Sequence, residues 1–507
     1  MPTPVPSGPT APIVPEADAT SSVRAALRSP RRLRTEVLAG LVVALALIPE
    51  AISFSIIAGV DPRVGLFASF TMAVSIAFLG GRPAMISAAT GAIALVVAPV
   101  MKEHGYDYLI ATVLLGGVIQ IVLALLGVTK LMRFVPRSVM VGFVNALAIL
   151  IFTAQLPQLL GVPWLVYPMV AVALAIIVYL PRLTTVVPAP LVAIVLVTVA
   201  VVATGMSVPT VGDEGSLPDS LPSLLLPDVP LTLETLTIIG PYAVGMALVG
   251  LMESLMTAKL VDDVTDTHSN KTREAWGQGA ANIITGFFGG MGGCAMIGQT
   301  MINTKVSGAR TRISTFLAGV FLLILVVGLG DVVAVIPMAA LVAVMIMVSV
   351  GTFDWHSVRP STLRRMPRSE TAVMVVTVVV TVATSNLAIG VVVGVLVASV
   401  LFVQRVAHFT SVRRVDDPQG RRVYTVTGEL FFASSNDLVY QFDYAGDPDE
   451  VVIDMSEAHV WDASTVATLD AITHKYASKG KTVTIRGLNP DSAARHERLA
   501  GNLGAGH

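Results

Sequence analysis

Between residues 38 and 404 the chain is a succession of apolar stretches, not an alternation of apolar and polar positions. Fourteen stretches can be marked: 38–59, 64–79, 85–101, 108–128, 139–157, 164–181, 188–205, 238–259, 276–290, 294–305, 313–330, 332–350, 371–384 and 387–404. A helical crossing of a bilayer needs about 20 apolar residues, and several of these stretches are shorter. Two of the shorter ones, 276–290 and 294–305, lie beside glycine-rich breaks. Short, glycine-interrupted segments point to discontinuous helices around a site near the bilayer midplane. Beyond residue 408 the pattern changes. Short apolar runs at Val423–Val426, Val451–Ile453 and Val483–Ile485 alternate with polar ones, and a helical period runs from Ala463 to Tyr476. This predicts a small α/β domain over 412–507, following a membrane domain over 31–408. Residues 1–30, rich in Pro, Ala and Ser at their start, read as a disordered cytosolic tail.

Composition sharpens this picture. The chain is 54% hydrophobic and 13% charged, where soluble domains carry about 25% charged residues. With a mean hydropathy of +0.76, most of it belongs in lipid. A net charge of -1 leaves no basic field for nucleic acid. The one cysteine, Cys294, excludes a disulfide framework and a cysteine metal cluster. Neither a nucleophile–base pair nor a metal-ligand cluster stands out, so the chain does not read as an enzyme. No basic segment followed by an apolar run opens the chain, so its start does not read as a signal peptide.

Charge also orients the spans. Arg28, Arg31, Arg32 and Arg34 precede the first stretch and place the N-terminus in the cytosol. With fourteen crossings three further basic clusters fall on that side: Lys130, Arg133 and Arg137; Lys305, Arg310 and Arg312; and Arg359, Arg364, Arg365 and Arg368. The loop 206–237 falls on the other side. It holds Asp213, Glu214, Asp219 and Asp228, and no Lys or Arg. The expected setting is a bacterial inner membrane, with both termini cytoplasmic.

The membrane part reads as duplicated over about 38–205 and 238–404. Ile48-Pro49-Glu50-Ala51 in the first span is echoed by Leu251-Met252-Glu253-Ser254 in the eighth. Gly80-Gly81 then leads to Ala84-Met85-Ile86, as Gly289-Gly290 leads to Ala295-Met296-Ile297. Seven spans per half is odd, so the second half is inverted. Spans three and ten then enter from opposite sides, and their helix N-termini meet near mid-membrane. Each N-terminus has free N–H groups and a partial charge of about +0.5. Two facing N-termini bind an anion without any cationic side chain. Ser87, Ala88, Ala89, Gly91 and Gly298 are small enough to let a ligand reach the backbone, although small residues also serve plain helix packing.

Glu50 and Glu253 are the only acids inside clearly apolar stretches. An ionised side chain there costs about 3 kcal/mol. A carboxyl that holds its proton avoids that cost and becomes a proton carrier. Structural pairing with a nearby Lys or Arg, or binding Na+, are the other readings. Phe54 follows Glu50, and Thr257 follows Glu253, by one helical turn on the same face. Asn145, Gln155, Asn282 and Asn303 read as interhelical hydrogen-bonding residues, and Cys294 as a small packing residue.

Ile48-Pro49-Glu50-Ala51, Ala58-Gly59-Val60-Asp61-Pro62 and Gly65-Leu66-Phe67-Ala68-Ser69-Phe70 together resemble the opening signature of the SulP, or sulfate permease, family of anion transporters. Glu253-Ser254-Leu255 with Thr257 resembles its eighth span, the Gly-Gly lead-in its tenth, and the C-terminal domain a STAS domain. The resemblance covers about 24–490. It implies an all-α polytopic membrane protein of fourteen transmembrane segments, built as a seven-plus-seven inverted repeat with core and gate domains, discontinuous helices three and ten, and a C-terminal α/β STAS domain.

It also implies site residues. Glu50, Phe54, Ser87, Thr90, Met296, Ile297, Gly298 and Gln299 would meet the substrate, and Glu253, Glu50 and Thr257 would handle the coupling ion. Gln299 stands where many relatives have Arg. Glu253 stands where sodium-coupled relatives have Asp, and Ile297 where they have a Thr. Both changes favour H+ over Na+. In Trp461-Asp462-Ala463-Ser464, Ala463 occupies the phosphoacceptor position of STAS antagonists. Within the family the chain resembles a bacterial proton-coupled fumarate symporter. The implied activity is symport of a small anion, a C4-dicarboxylate such as fumarate, with protons by alternating access. Bicarbonate or sulfate carriage with Na+ or H+, and a channel-like conductance, are the alternatives. A homodimer and a cytosolic regulator of the STAS domain are the implied partners. No cofactor or metal is expected.

Overall fold

The structure, a computed structural model, describes residues 22–130, 135–183, 188–230, 232–407, 410–418, 420–435 and 437–501. Most of the expected N-terminal tail, and Arg133, lie outside the described residues. Two compact units form, Met1–Gly394 and Val395–His507.

The first unit is helical. A single turn, α1 (Val23–Leu27), lies in the stretch read as a disordered tail. The Ser22 side chain caps it by accepting from Ala25 N. There follow α2 (Pro30–Ala58), α3 (Pro62–Leu79), α4 (Gly91–His104), α5 (Tyr106–Leu125), α6 (Arg137–Gln155), α7 (Val166–Tyr179) and α8 (Ala189–Thr204). The second half holds α9 (Leu233–Thr265), α10 (Lys271–Phe287), α11 (Ile297–Met301, continued by a π turn, Ile302–Val306) and α12 (Arg312–Gly328). The short α13 (Gly330–Ala334) then precedes α14 (Met338–Thr352), the short α15 (Pro360–Arg365), α16 (Arg368–Thr384) and α17 (Leu387–Ala407). Setting aside α1, α13 and α15, each expected span has its helix. The stretch 332–350 starts late because Pro337 precedes α14 and keeps Ile336 out of helical geometry.

These helices pack as two groups. α2, α3, α4, α5, α9, α10 and α12 contact one another, and so do α6, α7, α8, α14 and α16. The groups touch mainly where α14 meets α2. One apolar core, including Leu47, Phe54, Ile93, Phe143, Ile151 and Leu341, runs through both.

Spans three and ten are half-helices, as the glycine breaks imply. After α3, Gly80-Gly81-Arg82-Pro83 cannot continue a helix. Glu274 of α10 takes the freed Gly81 and Arg82 N–H groups at 2.7 and 2.8 Å. The chain then runs extended as β1 (Ser87–Ala88) before α4 starts. After α10, Gly289-Gly290-Met291-Gly292-Gly293 leads into β2 (Cys294–Ala295) and then α11. β1 and β2 pair antiparallel, Ser87 with Ala295 and Ala88 with Cys294.

In the second unit a four-stranded sheet is ordered β3 (Ser411–Asp416), β4 (Arg422–Leu430), β5 (Glu450–Val460) and β6 (Thr482–Arg486). β3–β4 is antiparallel; β4–β5 and β5–β6 are parallel. Short α18 (Phe432–Ser435), α19 (Ala463–Ala477) and α20 (Pro490–Leu499) complete it. Val426, Ile453, Val466, Leu469 and Ile472 form its core. Inside that core the Tyr424 and Tyr476 hydroxyls donate to Asp447 Oδ2 at 2.8 and 2.6 Å, and Arg422 Nε lies 3.1 Å from Asp447 Oδ1. Burial, and then the bond to Asp447, pushes the Tyr476 phenol far up.

Candidate functional site

The two half-helices begin beside the β1–β2 crossing. Thr90 caps α4, its hydroxyl accepting from Ile93 N at 3.4 Å. Met296 occupies the same position before α11. The first backbone N–H groups of each helix have no intrahelical acceptor. Those of Gly91, Ala92, Ile297, Gly298 and Gln299 find no other protein acceptor among the described residues. The crossing is held rigidly. Met296 N donates to Ile86 O at 2.9 Å, and Ile86 N to Thr300 Oγ1 at 3.0 Å. Ala295 N donates to Ser254 Oγ at 3.1 Å, and Ala89 N to Ser69 Oγ at 3.2 Å.

A chamber of about 390 Å³ opens at these N-termini. Thr90, Gly91 and Ala92 line it from α4, and Met296, Ile297, Gly298 and Gln299 from α11. Glu50 and Phe54 of α2 and Glu253 of α9 complete this wall. The facing wall is apolar, from Phe143, Val144, Leu147 and Ile151 of α6, and reaches Val348, Gly351 and Thr352 at the end of α14. None of the described lining residues is Lys, Arg or His. The chamber thus lies between the two helix groups, with both carboxyls and both helix ends on one side of it.

Both carboxyls are bonded. Gln299 Nε2 donates to Glu50 Oε1 at 2.5 Å. Cys294 Sγ donates to Glu253 Oε2 at 2.9 Å and lies 3.0 Å from Thr90 Oγ1. A continuous chain therefore joins Glu253, the Cys294 thiol and the cap of α4.

Eight of the ten site residues expected from sequence share this chamber. Ser87 does not line it: it is paired in β1, and its hydroxyl accepts from Gln278 Nε2 at 2.6 Å. Thr257 does not either, because its hydroxyl donates to the Glu253 carbonyl at 2.8 Å. Sequence reasoning missed the bridging place of Cys294, since a lone cysteine in an apolar run carries no pattern. It also missed the α6 and α14 wall, whose residues have no polar mark. Of the amides read as hydrogen-bonding residues, Asn145, Asn282 and Asn303 bond across elements. Gln155 has no protein partner among the described residues.

A profile of the sulfate permease family matches residues 33–172 and 163–377, and one of the STAS domain matches 412–500. YbaR of Bacillus subtilis, named as a candidate sulfate transporter, is 54% identical over 468 residues, covering 92% of this chain and 97% of that one. The chain belongs to the sulfate permease family. The transmembrane domain of a cyanobacterial bicarbonate transporter, BicA, superposes with a TM-score of 0.63 at 25% identity, covering 73% of this chain and 98% of that one. The murine Solute Carrier 26 family member A9 anion transporter, in its inward-facing state, gives 0.79 at 17% identity over 92% and 87%. That likeness speaks for the fold: an inverted repeat of fourteen membrane segments with a STAS domain. Named family relatives of this chain are sulfate or bicarbonate transporters, not enzymes. Like them, it is a multi-pass membrane protein of an anion-transport family.

Proposed function

We propose that this protein is a bacterial inner-membrane symporter that moves a small anion together with protons by alternating access, with both termini in the cytosol. The leading substrate is a C4-dicarboxylate such as fumarate. The observation that carries the reading is one chamber holding unpartnered N–H groups from two opposed helix ends beside two carboxyls. The N–H groups suit an anion, and the carboxyls suit protons. Glu50, Phe54, Thr90, Met296, Ile297, Gly298 and Gln299 are the substrate contacts, and Glu253 is the principal proton carrier. The chamber lies where one helix group can move the bound anion past the apolar wall of the other.

H+ is favoured over Na+ because the group set against the Glu253 carboxyl is a thiol donor, Cys294, where a cation would be served by an oxygen. Sulfate or bicarbonate is the second reading, favoured by the names of the relatives. The working unit is a homodimer, and the STAS domain tunes rate or trafficking.

The test is uptake of labelled fumarate, sulfate and bicarbonate into proteoliposomes, with and without an inward proton gradient and external Na+. Fumarate uptake driven by the proton gradient and indifferent to Na+ is expected. Uptake that requires Na+ and ignores the proton gradient overturns the coupling assignment, and uptake of none of the three overturns the reading.

A further inference from the structure

A second cavity, of about 300 Å³, lies further along the same three helices, against Ser53 and Ile57 of α2, Gln155 at the end of α6 and Gln158 just beyond it, and Met338 and Leu341 at the start of α14. It is separated from the chamber at the half-helices. Ile151 borders the chamber and Gln155 the cavity, one turn apart on α6, a rise of about 6 Å. Phe54 and Ile151 close the gap by pressing on the first residue of α4. A Cβ built on Gly91 would stand 2.8 Å from Phe54 Cε1 and 3.0 Å from Ile151 Cδ1. Only a glycine lets ring and methyl approach so closely, and the result is a thin apolar septum between two spaces.

The cavity has a feature its packing does not explain. Gln155 is 5% exposed, yet its amide has no hydrogen-bond partner in the protein among the described residues. Its polar end opens onto the cavity, so a partner for it comes from whatever fills that space. The other three buried amides singled out in the sequence are all bonded. Gln158 lines the same space. Ser53 gives its proton to Pro49 O at 2.8 Å, so the amide groups are the side-chain donors available there.

We propose that this cavity is a second, outer solute site, in which the Gln155 amide receives the transported carboxylate or oxyanion before it passes the Phe54–Gly91–Ile151 septum. The proposal rests on the transport reading above, which also makes this face the outer one. Neutral N–H donors with no lysine or arginine hold an anion loosely, as a transit site requires.

Right-side-out and inverted membrane vesicles carrying the parent, Gln155→Leu or Gln155→Asn test it. The probe is whichever of labelled fumarate, sulfate and bicarbonate the parent carries. Gln155→Leu should raise the half-saturating concentration at the outer face about tenfold. The inner-face value should stay near that of the parent, with the ratio of inward to outward maximal rate rising in step as detailed balance requires, and Gln155→Asn should recover part of the loss. The same fold-change in half-saturation at both faces of Gln155→Leu, relative to the parent, overturns the proposal. So does a lower maximal rate with unchanged half-saturation, which marks a merely structural residue. A parent that carries none of the three anions refutes the transport reading and the outer site with it.

Discussion

Replacing Gly293 by Ala is the sharpest perturbation of the crossing. A Cβ on Gly293 would lie 2.1 Å from the Ala88 carbonyl oxygen and 2.7 Å from its carbon. Both are backbone atoms, so no rotamer change relieves the clash. Restoring an ordinary contact requires β1 and β2 to part by about 1 Å. Those two residues lead directly into the helix ends whose N–H groups face the chamber. Overpacking of this kind costs about 1–3 kcal/mol, and a backbone–backbone clash falls at the upper end. For function, a displacement of about 1 Å at a positioned site costs on the order of a hundredfold in rate. Gly298 is the control: it lines the same chamber, but nothing lies within 4 Å of its Cβ position. Initial uptake rates in proteoliposomes, with thermal melting in detergent, measure both variants. Gly293→Ala should lose most of its uptake and melt lower, whereas Gly298→Ala should melt like the parent and lose mainly affinity. A Gly293→Ala protein within about twofold of the parent rate would show that crossing geometry does not position the anion.

Four further outcomes follow from the same geometry. Glu253→Gln should abolish acceleration of uptake by an inward proton gradient while anion binding survives; retention of the full gradient dependence would hand the role to Glu50. Gln299→Arg places a cation beside Glu50 and should tighten binding of a dianion by about tenfold, read by equilibrium binding in detergent. Asp447→Ala removes the acceptor of two buried tyrosine hydroxyls, while Arg422 keeps its pairing with Asp416, and should destabilise the C-terminal unit by about 1–3 kcal/mol, read by hydrogen exchange in its strands. Deleting residues 412–507 should lower rate, stability or trafficking without changing which anion is carried, so altered selectivity in a competition assay would count against it.

Much of this was legible in the sequence for identifiable reasons. Bilayer thickness forces long apolar runs, so the fourteen spans stood out. Glycine and proline clusters at 80–83 and 289–293 have few structural uses inside a membrane, and they marked both breaks. The α/β tail declared itself by period. The register of the repeat was misread. α4 and α11 begin at Gly91 and Ile297, which sets Ala89-Thr90-Gly91 against Ala295-Met296-Ile297. The matching Ala84-Met85-Ile86 instead lies in the lead-in, where Ala84 has a φ of 61°. A shared apolar tripeptide found the right neighbourhood but could not set the phase, because apolar identity carries little information in lipid. Hydrogen-bond partners were illegible for a related reason. Nothing local distinguishes Ser87, turned toward Gln278, from Thr90, turned into the chamber, or Gln155, left unpaired, from Asn145, which is bonded.

Charge balance explains why carboxyls and opposed helix ends belong in one chamber. On the proposed mechanism, two helix N-termini supply roughly +0.5 each, about one unit in all. A dicarboxylate brings two negative charges, and Glu50 and Glu253, if ionised, would bring two more. At a separation of about 6 Å and an effective dielectric of about 20, each pair of like charges costs about 3 kcal/mol. The helix ends cannot offset that, and no lysine or arginine lines the chamber to help. Protonating the carboxyls removes the repulsion, so the dianion and the protons bind best together. Linkage makes the assistance mutual: whatever factor the proton adds to anion affinity, the anion adds to proton affinity. Gln299 fits this scheme better than an arginine would. A fixed cation would satisfy the anion without a proton and uncouple the two, whereas the amide bonds Glu50 and leaves the missing positive charge to be supplied by protons.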